Sequence, residues 1–411
     1  MKKQIFRRNI LHGMNPAQTT LIKLILMECF YWFAWSFGQY QTVYLQGKGM
    51  DSAYIGTLNA VASVVAIVAM TIWGIIADRI NSVKKTLLIV MVLSAVMFGA
   101  IGFLPASVKF AAAMFMVYCP LANFSRGSIN TLLDNFTVRN CAVYRINYGA
   151  IRSIGSFTFA VGSVLLSALI IPAIGVKYTF VLFAIGLIPA FLTVLSSPDP
   201  KSPVRKEKKE KVNPKALFKN YYYVTFIVFV LIVYIPFMSE YSFLSYYMEA
   251  KGIATGQLGT ILALRAIMEM PFLIFMAKLR KHFKLKYLMM VAATLIGIEC
   301  FCLGTFAGGF KSVAALTSIF GMGNGILIGT TSNYLFKLAP DNLKATAQTI
   351  FGSTTALAGF IGNLGGGYLF KIIGAEKFYL MLSGIIFVGV IFFILSFIFY
   401  KKESNPGDIL D

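Results

Sequence analysis

An all-helical membrane protein of twelve spans, arranged as two sets of six, is the fold class this sequence predicts. Three observations carry that expectation. Of the 411 residues, 58% are hydrophobic and only 13% are charged, and the mean hydropathy is +0.74, whereas soluble domains carry about 25% charged residues. Apolar runs long enough to cross a bilayer, about 20 residues each, follow one another along the whole chain. The longest polar break, SSPDPKSPVRKEKKEKVNPK at 196–215, falls near the middle.

Reading each apolar run between charged or Gly/Pro breaks places the spans at roughly 20–46, 53–77, 84–104, 110–136, 147–172, 176–196, 220–248, 257–279, 286–307, 311–338, 345–371 and 376–400. Six precede the polar break and six follow it. The expected domains are an N-terminal six-helix bundle over 1–196, a cytoplasmic linker over 197–219 and a C-terminal bundle over 220–411. The prolines and lysines of the linker suit an exposed connection. The opening segment, MKKQIFRRNILHGMNPAQ, is basic and polar and lacks the short apolar core of a cleavable leader.

The chain holds 37 Lys+Arg against 16 Asp+Glu, a net charge of +21. That surplus alone is compatible with nucleic-acid binding, but its distribution follows the loops. One side collects Lys2, Lys3, Arg7 and Arg8, then Arg79, Lys84 and Lys85, then Arg139 and Arg145, the 201–219 cluster, Lys278–Lys286, Lys337, Lys344, Lys401 and Lys402. The other side has only Lys48, Lys109, Lys177, Lys251, Lys311, Lys371 and Lys377. The positive-inside rule puts both termini in the cytoplasm, which requires an even number of spans. The basic surplus then sets topology at the cell membrane and meets anionic lipid, with no nucleic-acid partner.

Five cysteines, Cys29, Cys119, Cys141, Cys300 and Cys302, fall in or beside apolar spans without metal-ligand spacing, and read as packing residues. His12 and His282 are expected in loops. No metal, cofactor or catalytic residue is expected, and the chain does not read as an enzyme. No G-x-x-x-x-G-K-[ST] loop is present, which argues against an ATP-driven pump.

Between spans two and three the chain reads GIIADRINSVKK, 74–85. This resembles the signature loop of the major facilitator superfamily, G-x-x-x-D-[RK]-x-G-[RK]-[RK], through Gly74, Asp78, Arg79, Lys84 and Lys85. Asn81 stands where the second glycine usually does, and one extra residue precedes the lysines. In physical terms the glycine allows close helix approach, and the aspartate can pair with a base or a helix N-terminus. The loop between spans eight and nine, AKLRKHFKLK, keeps the bases and lacks the acid. The resemblance implies two bundles around a central cavity that opens alternately to each side.

A second stretch, TLLDNFTVRNCAVYRINYGAIRSIGS at 131–156, narrows the resemblance. Asp134 in span four and Arg152 eighteen residues later in span five look like the lactose-permease branch, the oligosaccharide:proton symporters, in which such a pair grips the sugar. Glu269, in ALRAIMEMPFLIFM, is similar to that branch's sugar-contacting glutamate. The chain departs from the branch in span ten, SIFGMGNGILIGTTSNY, which lacks the His…Glu pair, and in span nine, where Glu299 stands near an arginine position. Proton coupling therefore cannot be copied from that branch.

Charges at mid-bilayer cost about 2.5–3.5 kcal/mol and face a partner or a cavity. The embedded acids are Glu28, Asp134, Glu240, Glu269 and Glu299, and the embedded bases are Arg126, Arg152 and Arg265. Asp134 and Arg152 read either as a salt bridge fastening two helices or as a substrate clamp, with arginine offering a fork of donors and the carboxylate only acceptors. Glu269 follows Arg265 by four and so shares its helix face. The two read as an internal ion pair, or Glu269 reads as a substrate contact and proton carrier, with Pro271 kinking the span. Glu28 lies in MECFYWFAWSFGQYQ, with Trp32, Trp35 and Gln39 following on its side. These read as a sugar platform or as interfacial anchors. Arg126 is placed to neutralise Glu28, and Glu240 to lie near the outer surface.

Candidate substrate-binding residues are thus Asp134, Arg152, Glu269, Trp32, Trp35, Gln39 and Asn130. Candidate proton carriers are Glu269, Asp134, Glu299 and Glu28. Gly74, Asp78, Arg79, Arg126 and Arg265 are assigned to structure or gating. Glycines in span five (Gly149, Gly155, Gly162) and span eleven (Gly359, Gly362, Gly365, Gly366, Gly367) suit close packing. The expected function is proton-coupled symport of an oligosaccharide or glycoside by a monomer whose partners are the sugar, protons and lipid. The absence of the Gly-Pro pair seen in span five of drug antiporters favours uptake. Alternatives are a nucleoside:proton symporter, a proton-driven multidrug exporter, and a non-transporting membrane sensor.

Overall fold

Helix is the only regular structure among the described residues of the computed structural model, which are 15–105, 110–199, 215–340 and 343–399. The long helices are α1 Pro16–Phe37, α2 Ser52–Ile80, α3 Val83–Gly99, α4 Ala111–Tyr144, α5 Tyr148–Leu165 and α6 Thr179–Ser196. They continue with α7 Tyr221–Ala250, α8 Leu258–His282, α9 Leu285–Thr305, α10 Phe310–Leu338, α11 Lys344–Ile373 and α12 Ala375–Phe399. A 3-10 turn at Gly38–Tyr40 carries α1 on into Gln41–Gln46. A π-type widening at Leu166–Ile170 carries α5 on into Ile171–Ile174.

Eleven of these helical segments are long and apolar enough to cross a membrane. The remaining one, α4, is 34 residues long. Its apolarity falls short because Asn123, Arg126, Asn130 and Asp134 recur at helical spacing along one face. Residues 200–214 of the expected linker, the basic N-terminal cluster with His12, Lys109, Lys401 and Lys402 lie outside the described residues.

Local sequence explains where the helices start and stop. Asn15, Asp51, Ser82, Asn147 and Asn220 each accept a hydrogen bond from a backbone N–H in the first turn of the helix they precede. Asn81 ends α2 at φ 52°. The signature loop puts glycine there because the backbone is left-handed, and asparagine tolerates that region better than most residues. Two expected boundaries move. α4 runs past 136 to Tyr144, so Arg139, expected in a loop, sits on the helix. His282, also expected in a loop, completes the last turn of α8, where a basic side chain complements the helix dipole.

In the first half α1 packs on α5 and α6, α2 on α4, and α3 on α4 and α6. In the second half α7 packs on α11 and α12, α8 on α10, and α9 on α10 and α12. The halves meet mainly through α2 against α11 and α5 against α8.

Their described hydrogen bonds cluster at the end that carries the 47–51 and 251–257 turns. There Ser52 Oγ donates to Gly367 O (3.0 Å) and Tyr246 OH to Met50 O (2.5 Å). Tyr40 OH donates to Gly256 O (3.0 Å) and accepts from Gly259 N (2.7 Å), while Ser167 Oγ also donates to Gly256 O (2.8 Å). Backbone approach makes this seal possible: a Cβ on Gly56 would lie 2.4 Å from Asn363 O and 2.8 Å from Gly367 Cα. At the rim Lys371 Nζ pairs with Asp51 Oδ2 at 2.8 Å, and its hydrogen bond holds the Asp51 carboxyl below its usual range. That contribution is present at neutral pH and fades as acid protonates Asp51, and exposure on both sides keeps it small.

Close packing of Gly74 against another helix does not occur in this conformation. The residue is exposed, and an added Cβ meets nothing within 4 Å. Asp78 and Arg79 are exposed beside it. Lys84 instead ties α3 to the end of α6, donating to Leu195 O (2.8 Å) and Ser197 O (2.7 Å).

Candidate functional site

Between the halves, away from the sealed end, lies a cavity of about 200 Å³. Trp32, Trp35, Arg152, Ser156 and Phe159 line it from α1 and α5; Tyr241, Arg265, Glu269, Phe320 and Asn324 line it from α7, α8 and α10. One wall is a tryptophan whose position is fixed on three sides. Its indole Nε1 donates to Glu28 Oε2 at 2.8 Å. The Arg152 guanidinium lies over the ring, 4.0 Å from the centroid. Gly155, one turn beyond Arg152, leaves the space the ring fills, since a Cβ there would be 2.4 Å from Trp32 Cδ1. Glu28 is fully buried, with Thr137 Oγ1 3.1 Å from its other oxygen.

Arg152 Nε is 3.9 Å from Asp134 Oδ1, a loose pair, and its buried Nη1 has no partner. Tyr148 OH donates to the same Asp134 oxygen at 3.1 Å. The Asp134 side chain is 42% exposed and does not line the cavity; Arg152 does. On the opposite wall Asn324 Nδ2 donates to Glu269 Oε2 at 3.0 Å. Gly321 and Gly325 bring α10 against the α8 backbone there, with built Cβ atoms 2.1 Å from Arg265 O and 2.6 Å from Glu269 O.

Several expected pairings are replaced by others. Arg265 turns away from Glu269 to Glu240 on α7 (2.5 and 3.0 Å) and Glu299 on α9 (3.0 Å). Both acids are fully buried, so the Glu240 side chain is enclosed by protein and not exposed at a surface. Arg126 does not neutralise Glu28. Its Nη2 donates to Gly38 O at 2.9 Å, ten residues beyond Glu28 and about 15 Å along a helix axis. Asn130 is outside the cavity wall, with its side-chain oxygen taken by Tyr31 OH. Gln39 lies nearer the sealed end, where it accepts from Tyr241 OH at 2.8 Å. The five cysteines are free thiols.

Asn324, Tyr241, Ser156, Phe159 and Phe320 are not marked in the sequence, because neutral polar and aromatic residues lack the cost that makes an embedded charge stand out. The pattern GMGNG around Asn324 did hold a signal: two glycines four residues apart, Gly321 and Gly325, mark the contact face that aims the asparagine at its neighbour.

Comparison with known proteins agrees with this architecture. The MFS_1 like family model matches residues 24–381. The maltose permease of Geobacillus stearothermophilus is 25% identical over 395 residues, covering 95% of this chain and 97% of that protein. The uncharacterized transporter YwbF of Bacillus subtilis (strain 168) is 22% identical over 366 residues, 87% of each chain. Among solved structures, the nucleoside transporter NupG superposes with a TM-score of 0.70 at 19% identity, over 94% of this chain and 100% of that one. A POT family transporter in complex with a thioalcohol-conjugated peptide gives 0.68 at 15% identity, over 94% and 99%. At these identities the solved structures speak to fold alone. With a family model spanning most of its length and apolar helices following one another along it, the chain is a multi-pass membrane transporter that belongs to the MFS_1 like family.

Proposed function

We propose that the protein is a proton-coupled sugar symporter of the cell membrane. In this reading it has twelve spans in two six-helix bundles, both termini and the 197–219 linker are cytoplasmic, and it acts as a monomer driven by the proton gradient without a cofactor. The observation that carries the sugar reading is the fixed Trp32 ring beside the Arg152 fork, facing the Glu269–Asn324 pair on the other half. A pyranose has an apolar C–H face and a rim of hydroxyls. The indole takes the face, Arg152 donates to hydroxyl oxygens, and Glu269 accepts from hydroxyl hydrogens. The name of the maltose permease relative supports this reading.

The sealed end becomes the external one, so this conformation faces inward. Glu269 contacts sugar, and the proton is carried by the Glu240–Arg265–Glu299 cluster. The deciding experiment is uptake into proteoliposomes with an inward proton gradient. Labelled maltose or maltotriose is expected to accumulate and uridine is not. Uridine accumulation without maltose uptake would replace the sugar by a nucleoside.

Topology is open to direct measurement. In a background lacking the native cysteines, a cysteine at Lys48 or Lys177 is expected to react with an impermeant thiol reagent from outside intact cells, and one at Lys281 is not. The opposite pattern overturns the orientation.

The seal gives a further expectation. Gly56→Val puts side-chain atoms where Asn363 O and Gly367 now sit, so the external end cannot close. Transport is expected to stop, and a cysteine at Ser63, inside the seal, is expected to become reactive from outside. Normal transport by Gly56→Val would show that the α2–α11 contact is not part of the gate.

A further inference from the structure

A second cavity, of about 320 Å³, lies between the first and the sealed end. The two share Tyr241 and Leu262 in their walls. Gln39, Asn59, Ser63, Asn123 and Asn363 give it a polar lining, and Arg126 is the one charged residue in that lining.

Arg126 is unlike the other two embedded arginines. Arg265 touches two carboxylates, and Arg152 lies 3.9 Å from one. No carboxylate lies within ion-pair distance of Arg126 among the described residues. Of its five N–H donors, one goes to Gly38 O at 2.9 Å and one to Asn123 Oδ1 at 3.4 Å, while the buried Nε has no partner. Trp35 and Phe98 lie against the guanidinium, with ring centroids 4.1 and 4.4 Å from its carbon. The break in α1 at Gly38 exposes the carbonyl that orients it, and a Cβ on Gly38 would be 2.7 Å from Nη2. The cation is thus held at the wall of a polar cavity with its charge uncancelled. A lone charge at this depth is expensive, and a ligand's negative charge removes the cost.

We propose that the second cavity is a subsite for an oxyanion on the transported glycoside, a carboxylate or a phosphate, held by Arg126. This deepens the sugar reading and rests on it: one ring occupies the first cavity, and the acidic substituent reaches the second past Tyr241. Arg126 supplies charge-assisted donors, and the surrounding amides of Gln39, Asn59 and Asn363 supply the rest.

The test is calorimetric binding to the purified full-length protein in chloride-free buffer, with maltose, maltobionate (a carboxylate) and maltose 1-phosphate as probes. The expected result is that one or both acidic probes bind about tenfold or more tighter than maltose, the size of a single charge-assisted contact. Which one does so distinguishes carboxylate from phosphate. Arg126→Gln is expected to bring the ratio of acidic to neutral affinity near one. Because that variant removes a packed side chain, Asn123→Asp serves as the second. It places a carboxylate beside Arg126 from within the protein, and is expected to raise the melting temperature and abolish the preference. Equal binding of neutral and acidic sugars by the native protein overturns the proposal, as does a preference that survives Asn123→Asp. Chloride that binds in Arg126-dependent fashion without altering acidic-sugar affinity also overturns it. Arg126-dependent binding of inorganic phosphate with no sugar bound at all would keep the anion site and remove the sugar reading.

Discussion

Replacing Arg152 with lysine is expected to lower sugar affinity by about 30- to 150-fold while leaving insertion and folding intact. The estimate follows from losing one planar fork of charged hydrogen bonds, about 2–3 kcal/mol, at about 1.4 kcal/mol per tenfold. Lysine keeps the charge but offers a point donor, and it lacks the planar guanidinium whose carbon sits 4.0 Å from the Trp32 ring centroid. The competing role, fastening α4 to α5 through Asp134, makes a different forecast. The pair is 3.9 Å apart and the Asp134 side chain is 42% exposed, so as a structural bridge it is worth at most about 1 kcal/mol. Lysine would serve such a bridge nearly as well. Binding by calorimetry, with a melting temperature as the folding control, separates the two. Unchanged affinity in Arg152→Lys would leave the residue a structural part. The swap of Asp134→Arg with Arg152→Asp restores a bridge but removes the fork from the cavity. It is expected to fold without binding, and normal binding by the swap would overturn the clamp.

How much of this was legible in the sequence depends on the kind of signal. Helices were legible because each must present an apolar surface to lipid, and their breaks are marked by Asn, Asp, Gly and basic residues. The end of α4 was misplaced because Thr137, Arg139 and Asn140 make a helical stretch look like a loop. Arg152 and Glu269 were legible as cavity residues because charge in an apolar span needs a reason. Their partners were not. The spacing of Arg265 and Glu269 puts both on one helix face, but the partner is chosen by the neighbours across the interface. Here α7 and α9 offer Glu240 and Glu299, and α10 offers Asn324 to Glu269. Glu28 shares a helix face with Trp32, as its spacing predicts, and accepts from the Trp32 indole N–H, whereas Arg126 turns to Gly38 O. Contacts along one helix follow from periodicity, whereas contacts between helices depend on register, which a single sequence does not state.

The largest functional effect is expected at Glu240 and Glu299. Both carboxylates are fully buried, and a single guanidinium, Arg265, serves the two, at 2.5 and 3.0 Å. With both acids ionised, the cluster would hold one negative charge more than Arg265 cancels, and a proton is the smallest species able to cancel it. Arg265 also lines the first cavity, so whatever sits there changes the field that the two acids feel. With one proton moved per sugar, a pH difference of one unit supports about tenfold accumulation. Glu299→Gln or Glu240→Gln leaves a neutral pair with no charge for a proton to cancel. Accumulation is then expected to fall to parity with the outside concentration, while exchange of labelled for unlabelled sugar continues. Glu269→Gln is expected to differ by losing binding, and exchange with it, because that side chain lies in the cavity wall. Arg265→Met alone strands two buried carboxylates and is expected to destabilise the protein by about 3–5 kcal/mol. Combining it with Glu240→Gln and Glu299→Gln is expected to recover the fold without coupling. Full accumulation in both single glutamine variants would move the proton out of this cluster to Glu269, where binding and coupling would then fail together.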